Sequence, residues 1–267
     1  MAFAEFQGKL IAAVGNLVRL YEIGKKKLLK KCETKKLTST ITGLNVNGQR
    51  IFVNTMSESF HVLRYKPNEN QLYLFADDSL PRWITCSTIL DYNTIAGCDK
   101  FENFFVYRLP QGCDEESEED PMGTKYKWDL GYLNGAAYKL DLIAQYHKGD
   151  LITSMKKCNL NGGNDSLLVY GTSSGSIGVF MPFETREEVD FFVHLEMYLR
   201  IENQPLCGRD HQMYRSAYGP VKCVIDGDLC EEFSCMDFSK QKLMASELDK
   251  TPIEILKKLE ETRNKIL

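Results

Sequence analysis

Four segments of this chain share one layout: an apolar strand, a small or turn-forming pivot, a polar turn and a second, alternating strand. They begin at Ile11, Ile51, Thr94 and Leu167, with pivots at Gly15, Asn54, Gly97 and Gly171. The first three pivots lie about 40 residues apart, the period of a β-propeller blade. The last interval is one such period plus extra residues. The surplus is visible as 112–125, GCDEESEEDPMGTK, which is acidic, poor in apolar residues and reads as a mobile loop. The segments between the pivots fit the same layout. Residues 41–46 alternate like a half-buried strand, and Asn47-Gly48 is a hairpin signal leading into 50–54. Residues 28–32, 71–75, 83–90, 138–146 and 151–158 supply further strands.

After residue 183 the pattern changes. In 184–203, Val189, Phe192, Leu195 and Leu199 fall at helical spacing behind a Thr185/Glu188 capping-box pair. Asp226 can cap a helix running through Cys235, 240–248 reads as a short helix, and Thr251-Pro252-Ile253-Glu254 opens a last one. The expected fold is therefore mainly β. About four blades of antiparallel strands, a partial β-propeller, occupy 1–183, and a C-terminal α-helical domain occupies 184–267.

The stretch 204–232 belongs to neither pattern. Pro205, Gly208, Gly219, Pro220 and Gly227 punctuate it, and Arg209, Asp210, His211 and Arg215 answer no helix or strand requirement. Two readings stand side by side: a binding segment, or a loop that docks the helices onto the β domain. On the first reading Leu206, Arg209, Asp210, His211, Arg215, Asp226 and Asp228 are candidates for contact with a protein partner.

Charge and cysteine content narrow the function classes. A net charge of −4, from 33 Lys+Arg against 37 Asp+Glu, argues against a protein built to neutralise nucleic-acid phosphate. Only a local patch remains for that: Lys25, Lys26, Lys27, Lys30 and Lys31, with Lys35 and Lys36 beyond. It lacks the interleaved aromatics that single-strand binding uses, and a solvated rim explains it as well. The first residues, MAFAEFQGK, do not resemble a signal peptide, so the nine cysteines are expected to be reduced thiols in cytosol or nucleus.

No motif points to catalysis, a metal or a cofactor. Cys207 and His211 have an acceptable spacing for zinc, but Cys223, Cys230 and Cys235 do not form the close pairs that zinc sites use. Gly171 to Gly175 looks like a phosphate cradle, but a hairpin rather than a helix follows it. Asp77-Asp78 and Asp226/Asp228 fit turn and cap roles better than a catalytic carboxylate pair.

Long ordered motifs carry a resemblance. LYEIGKKKLLKKCE, RYKPNENQLYLFADDSLPRW and LDYNTIAGCDKF, then PLCGRDHQMYRS, VIDGDLCEEF and ELDKTPIEILKKLEETR, resemble the C-terminal region of the splicing factor 3b subunit 3 family. That family is grouped with the large subunit of the cleavage and polyadenylation factor and with the damaged-DNA-binding adaptor of cullin ligases. The resemblance implies the later blades of a third propeller plus a helical domain, and a non-enzymatic scaffold in the nucleus. It implies pre-mRNA splicing within the U2 small nuclear ribonucleoprotein, with the HEAT-repeat subunit 1 and the small subunit 5 as partners and RNA contact indirect or weak. It also implies propeller blades outside this chain, and two readings of that stand side by side: a fragment of a longer protein, or a split protein whose missing blades another chain supplies. The alternative it leaves is a nucleic-acid-binding or ubiquitin-ligase adaptor protein like the damaged-DNA-binding relative.

Overall fold

The computed structural model describes residues 2–113, 135–160, 167–203, 205 and 207–266. Residues 114–125 of the acidic stretch and the candidate Leu206 lie outside them. Sixteen strands form four sheets among the described residues. The first is β1 (Phe3–Phe6), β2 (Lys9–Val14), β3 (Leu17–Ile23) and β4 (Leu28–Glu33) in that order. The second runs β5 (Ile41–Asn47), β6 (Arg50–Thr55), β7 (Phe60–Lys66) and β8 (Gln71–Asp77). The third runs β9 (Ile84–Ile89), β10 (Thr94–Asp99), β11 (Asn103–Arg108) and β13 (Asp141–His147). The fourth is β14 (Ile152–Cys158), β15 (Leu167–Thr172) and β16 (Ile177–Phe180). All of these pairings are antiparallel.

Each β core lies between two consecutive sheets. Phe6, Ile11, Val18 and Leu20 of the first meet Ile41, Ile51, Val53 and Leu63 of the second. Phe52, Phe60, Val62 and Phe75 of the second meet Ile95, Phe105 and Tyr107 of the third. Ala96, Phe104 and Tyr146 of the third meet Ile152, Met155, Leu168 and Tyr170 of the fourth. The alternation read from the sequence thus buries apolar side chains on both faces of the middle sheets. Gly97 explains one close approach: a Cβ there would lie 2.6 Å from Phe60 Cζ across the second core. The first strands of successive sheets also touch. Asn45 and Asn54 Nδ2 each donate to Ser87 Oγ at 2.6 Å, and Thr85 Oγ1 donates to Ile152 O at 2.9 Å.

Three expectations for the β part need correction. The segment 138–146 is not one strand. It divides at Leu140, whose N–H donates to Asp77 O at 2.9 Å. The short β12 (Tyr138–Lys139) pairs parallel with β8 in the second sheet, and β13 begins the third sheet's outer edge. The hairpin after β5 is also shifted by one residue. Asn47 pairs with Arg50, so the two loop residues are Gly48, at φ 58°, and Gln49. The pivots are not equivalent either, since Gly15 sits in the β2–β3 turn whereas Asn54, Gly97 and Gly171 lie within strands.

Beyond β16 the regular elements among the described residues are helical: α1 (Arg186–Glu202), α2 (His211–Tyr214), α3 (Gly227–Glu231), a 3₁₀ turn (Glu232–Cys235), α4 (Phe238–Glu247) and α5 (Pro252–Ile266). Phe192, Leu195 and Leu199 of α1 pack with Leu229, Phe233, Met244, Ile255 and Leu259 in a core of their own. Thr185 caps α1 by accepting from Glu188 N at 3.2 Å. The Glu188 carboxylate does not complete the expected capping box; it pairs with Lys265 at 3.3 Å instead. The box at Thr251 does form, with Thr251 N donating to Glu254 Oε2 at 2.7 Å. The helix expected after Asp226 tightens into the 3₁₀ turn after Glu231.

Candidate protein-contact site

The segment 215–222 runs along the outer edge of the third sheet. Gln145 of β13 exchanges backbone hydrogen bonds with Lys222, both at 2.9 Å, and His147 N donates to Arg215 O at 2.9 Å. The irregular segment therefore satisfies part of an edge strand, which would otherwise present unpaired donors and acceptors. Proline and glycine keep this segment out of a regular strand, so its pairing stops at these points.

The side chains converge on Asp226, which is 3% exposed. One oxygen, Oδ2, accepts from His211 Nε2 at 2.6 Å and from Arg215 Nε at 2.7 Å. The other, Oδ1, accepts from the backbone N–H of Asp228 and Leu229 and so caps α3. Burial alone pushes this carboxyl upward, but the hydrogen bonds and charges of His211 and Arg215 outweigh it and hold the pKa below its ordinary value. Arg215 reaches further: Nη1 donates to Lys148 O at 2.9 Å, and the guanidinium lies 5.3 Å from the centre of the Tyr146 ring. Lys148 Nζ returns to the helical side through Asp228 at 3.2 Å. Behind Asp226, buried Glu196 has its pKa raised, first by burial, and its Oε1 lies 3.4 Å from Asp226 N.

The candidates thus separate into two groups. His211, Arg215 and Asp226 form an internal joint between the β and helical parts, and Asp228 joins it through Lys148. Asp210 caps α2 and pairs with Arg200, whose Nε donates at 3.0 Å, yet it stays exposed at the surface. Arg209 is exposed beside it. Lys148, Tyr146 and Glu196 complete the joint and were not among the sequence candidates. Lys148-Gly149-Asp150 reads only as a turn, and no local pattern ties it to a residue some 70 positions away.

The lysine run occupies the β3–β4 hairpin. Lys25, Lys26 and Lys27 are exposed in its turn; Lys30 pairs with Glu33 at 3.2 Å and Lys31 with Glu22 at 2.6 Å. The other sequence motifs have structural occupations. Among the described residues no group of three or more His, Cys, Asp or Glu is placed to hold a metal ion. His211 is engaged by Asp226, and burial pushes the Cys230 thiol up. In the 171–175 hairpin, Asp150 accepts from the Ser173 and Ser174 hydroxyls, which puts a carboxylate where a phosphate would have to lie.

A family profile described as "CPSF A subunit region" matches residues 1–235. The chain belongs to that family. It is 53% identical to spliceosome-associated protein 130 A of Arabidopsis thaliana over 267 residues, all of this chain and 22% of that protein. It is 51% identical to splicing factor 3B subunit 3 of Danio rerio over 265 residues, and 48% identical to splicing factor 3B subunit 3 of Drosophila melanogaster over 264 residues. Each of these two alignments covers 99% of this chain and 22% of the relative. The chain therefore spans about a fifth of the length of the curated relatives it matches. All three of these relatives carry names from splicing, as do the proteins that the sequence motifs resemble.

Proposed function

We propose that this chain acts in pre-mRNA splicing as a non-enzymatic protein–protein scaffold. Its setting is the nucleus, within splicing factor 3b of the U2 small nuclear ribonucleoprotein, with the HEAT-repeat subunit 1 and small subunit 5 as partners. The observation that carries the reading is identity near one half, over 99% of this chain and 22% of the relatives, to proteins named as splicing factor 3B subunit 3. The architecture supports it. The four sheets are read as successive propeller blades over 1–183, because each apolar core lies between neighbours and the first strands of adjacent sheets meet. The helices of 184–267 form the C-terminal domain that the joint at Asp226 fixes to the blades. Large apolar side chains remain exposed on the first and fourth sheets: Phe3 at 61% and Ile177 at 81%.

Within this reading, Arg209 and Asp210 supply the partner contact, with Leu206 beside them in sequence. His211, Arg215, Asp226 and Asp228 hold that surface in place. RNA contact through the lysine run is weak or indirect, since two of the five lysines are engaged by acids of their own sheet. The test is affinity purification of the tagged chain from its source cells, with identification of the bound proteins. Splicing factor 3b subunits are expected. Recovery of cullin-ligase subunits in their place would overturn the splicing assignment and favour the adaptor reading.

A further inference from the structure

The outer edges of the sheets are treated unequally. The second sheet's last strand, β8, pairs with β12 at Ala76 and Asp77, and the third sheet's β13 bonds to the 215–222 segment at Gln145 and His147. The first sheet ends on β4 and the fourth on β16, with no strand beyond either among the described residues; β4 is the one flanked by the lysine run. Its sequence, LLKKCE, is exposed at five of six positions, including Leu28 at 51% and Leu29 at 44%. The hairpin geometry identifies the open groups. Gly24 N donates to Lys27 O at 3.1 Å, and Ile23 pairs with Leu28, Glu22 with Leu29 and Tyr21 with Lys30. Antiparallel alternation then turns the backbone N–H and C=O of Leu28 and Lys30 away from β3. Lys31 lies at a register shift, and its carbonyl accepts from Asn70 Nδ2 at 3.1 Å, so it closes the open stretch at that end.

We propose that β4 accepts an added strand from a protein partner, an extended segment in which acidic and apolar residues alternate. Lysines on an edge strand are a known guard against pairing, because a second copy would bring lysine against lysine. The same charge favours an acidic strand. Lys25, Lys26 and Lys27 have no acidic partner among the described residues, and they flank the end of the strand where Leu28 opens. A guard alone does not call for Leu28 and Leu29, which would remain solvated. Main-chain pairing supplies affinity in this mode, and the alternate side chains supply selectivity. The inference goes beyond the splicing reading and does not depend on it.

The test uses the purified full chain and fluorescence anisotropy of a labelled eight-residue peptide that alternates glutamate with valine. A lysine–valine peptide is the charge control. The same acidic peptide carrying backbone N-methyl groups at alternate residues keeps its charge but loses donors. Leu28→Pro removes an outward N–H at the first position of an edge strand, where proline is tolerated. The expected result is binding of the acidic peptide, weakened at least tenfold by N-methylation, by Leu28→Pro and by combined Lys25→Glu, Lys26→Glu and Lys27→Glu. The N-methylated peptide reads the pairing even if a variant fails to fold. Equal binding of the N-methylated peptide would reduce the contact to charge and overturn the proposal, as would no binding at all. Dimerisation lost in Leu28→Pro would assign the edge to a second copy. Tighter binding of oligouridylate than of peptide would assign it to nucleic acid. Either outcome rejects an acidic partner strand.

Discussion

The joint around Asp226 and the lysine hairpin at 25–31 are both rich in charge, and they sit in opposite physical settings. In the joint, one nearly inaccessible carboxylate holds a histidine, an arginine and two backbone donors. In the hairpin, the lysines stand in solvent, and their pairs with Glu22 and Glu33 are exposed and screened. The difference shows that charge acts on stability where water is excluded and on encounter where it is not. The joint should therefore govern how the helical part is fixed, and the hairpin should govern what approaches the β part.

The largest expected effect is at Asp226. Asp226→Ala leaves Arg215 and His211 facing each other in a half-buried space and uncaps α3. Breaking one partner of a buried pair costs about 3–5 kcal/mol. Urea unfolding followed by circular dichroism measures this. A loss below about 1 kcal/mol, the range of exposed pairs, would break the contrast with the hairpin. Next comes Gly97→Val, which forces a side chain against Phe60 and Phe105 between the second and third sheets. Overpacking of this kind costs about 1–3 kcal/mol in the same measurement. An unchanged midpoint would mean that the two sheets separate freely.

A smaller effect is the pH dependence. The Asp226 pKa lies below its ordinary value of 3.8, so its contribution is complete above that pH and is lost as pH falls through the depressed folded value. Glu196 acts in the opposite sense. Its pKa is raised above 4.5, so its contribution is present below that pH and declines as pH rises through the raised value. Acid unfolding of Asp226→Asn should have a flatter slope below pH 3.8 than the parent chain, and Glu196→Gln should flatten the region above pH 4.5. Identical profiles would remove both groups from the account. The smallest stability effect is expected at the hairpin: Lys25→Glu, Lys26→Glu and Lys27→Glu together should leave the melting midpoint unchanged. A clear drop would mean that these lysines have packing roles.

Local pattern made much of the fold legible. The alternation of 41–46 and the helical spacing of 184–203 were sufficient because each rests on neighbours along the chain. What escaped was nonlocal. The parallel pairing of Tyr138 with Ala76 divides an apparently continuous strand, and it depends on a strand more than 60 residues earlier. At the site, the sequence marked Asp226 as a cap and Arg215 as a special residue. It could not place one against the other, because pairing across an irregular loop leaves no periodic trace. The same charge-rich composition therefore described both a buried joint and an exposed edge.

The central claim is that this chain holds proteins and does not itself bind RNA strongly. It is tested most directly by immobilising the purified chain and presenting two analytes in the same format: the HEAT-repeat subunit together with the small subunit, and a single-stranded RNA. The account predicts capture of the protein subunits that survives physiological salt, weakened by Arg209→Glu without a change in circular dichroism. It predicts RNA retention that is weak and disappears as salt rises. Tight, salt-resistant RNA binding with no capture of the protein subunits would contradict it.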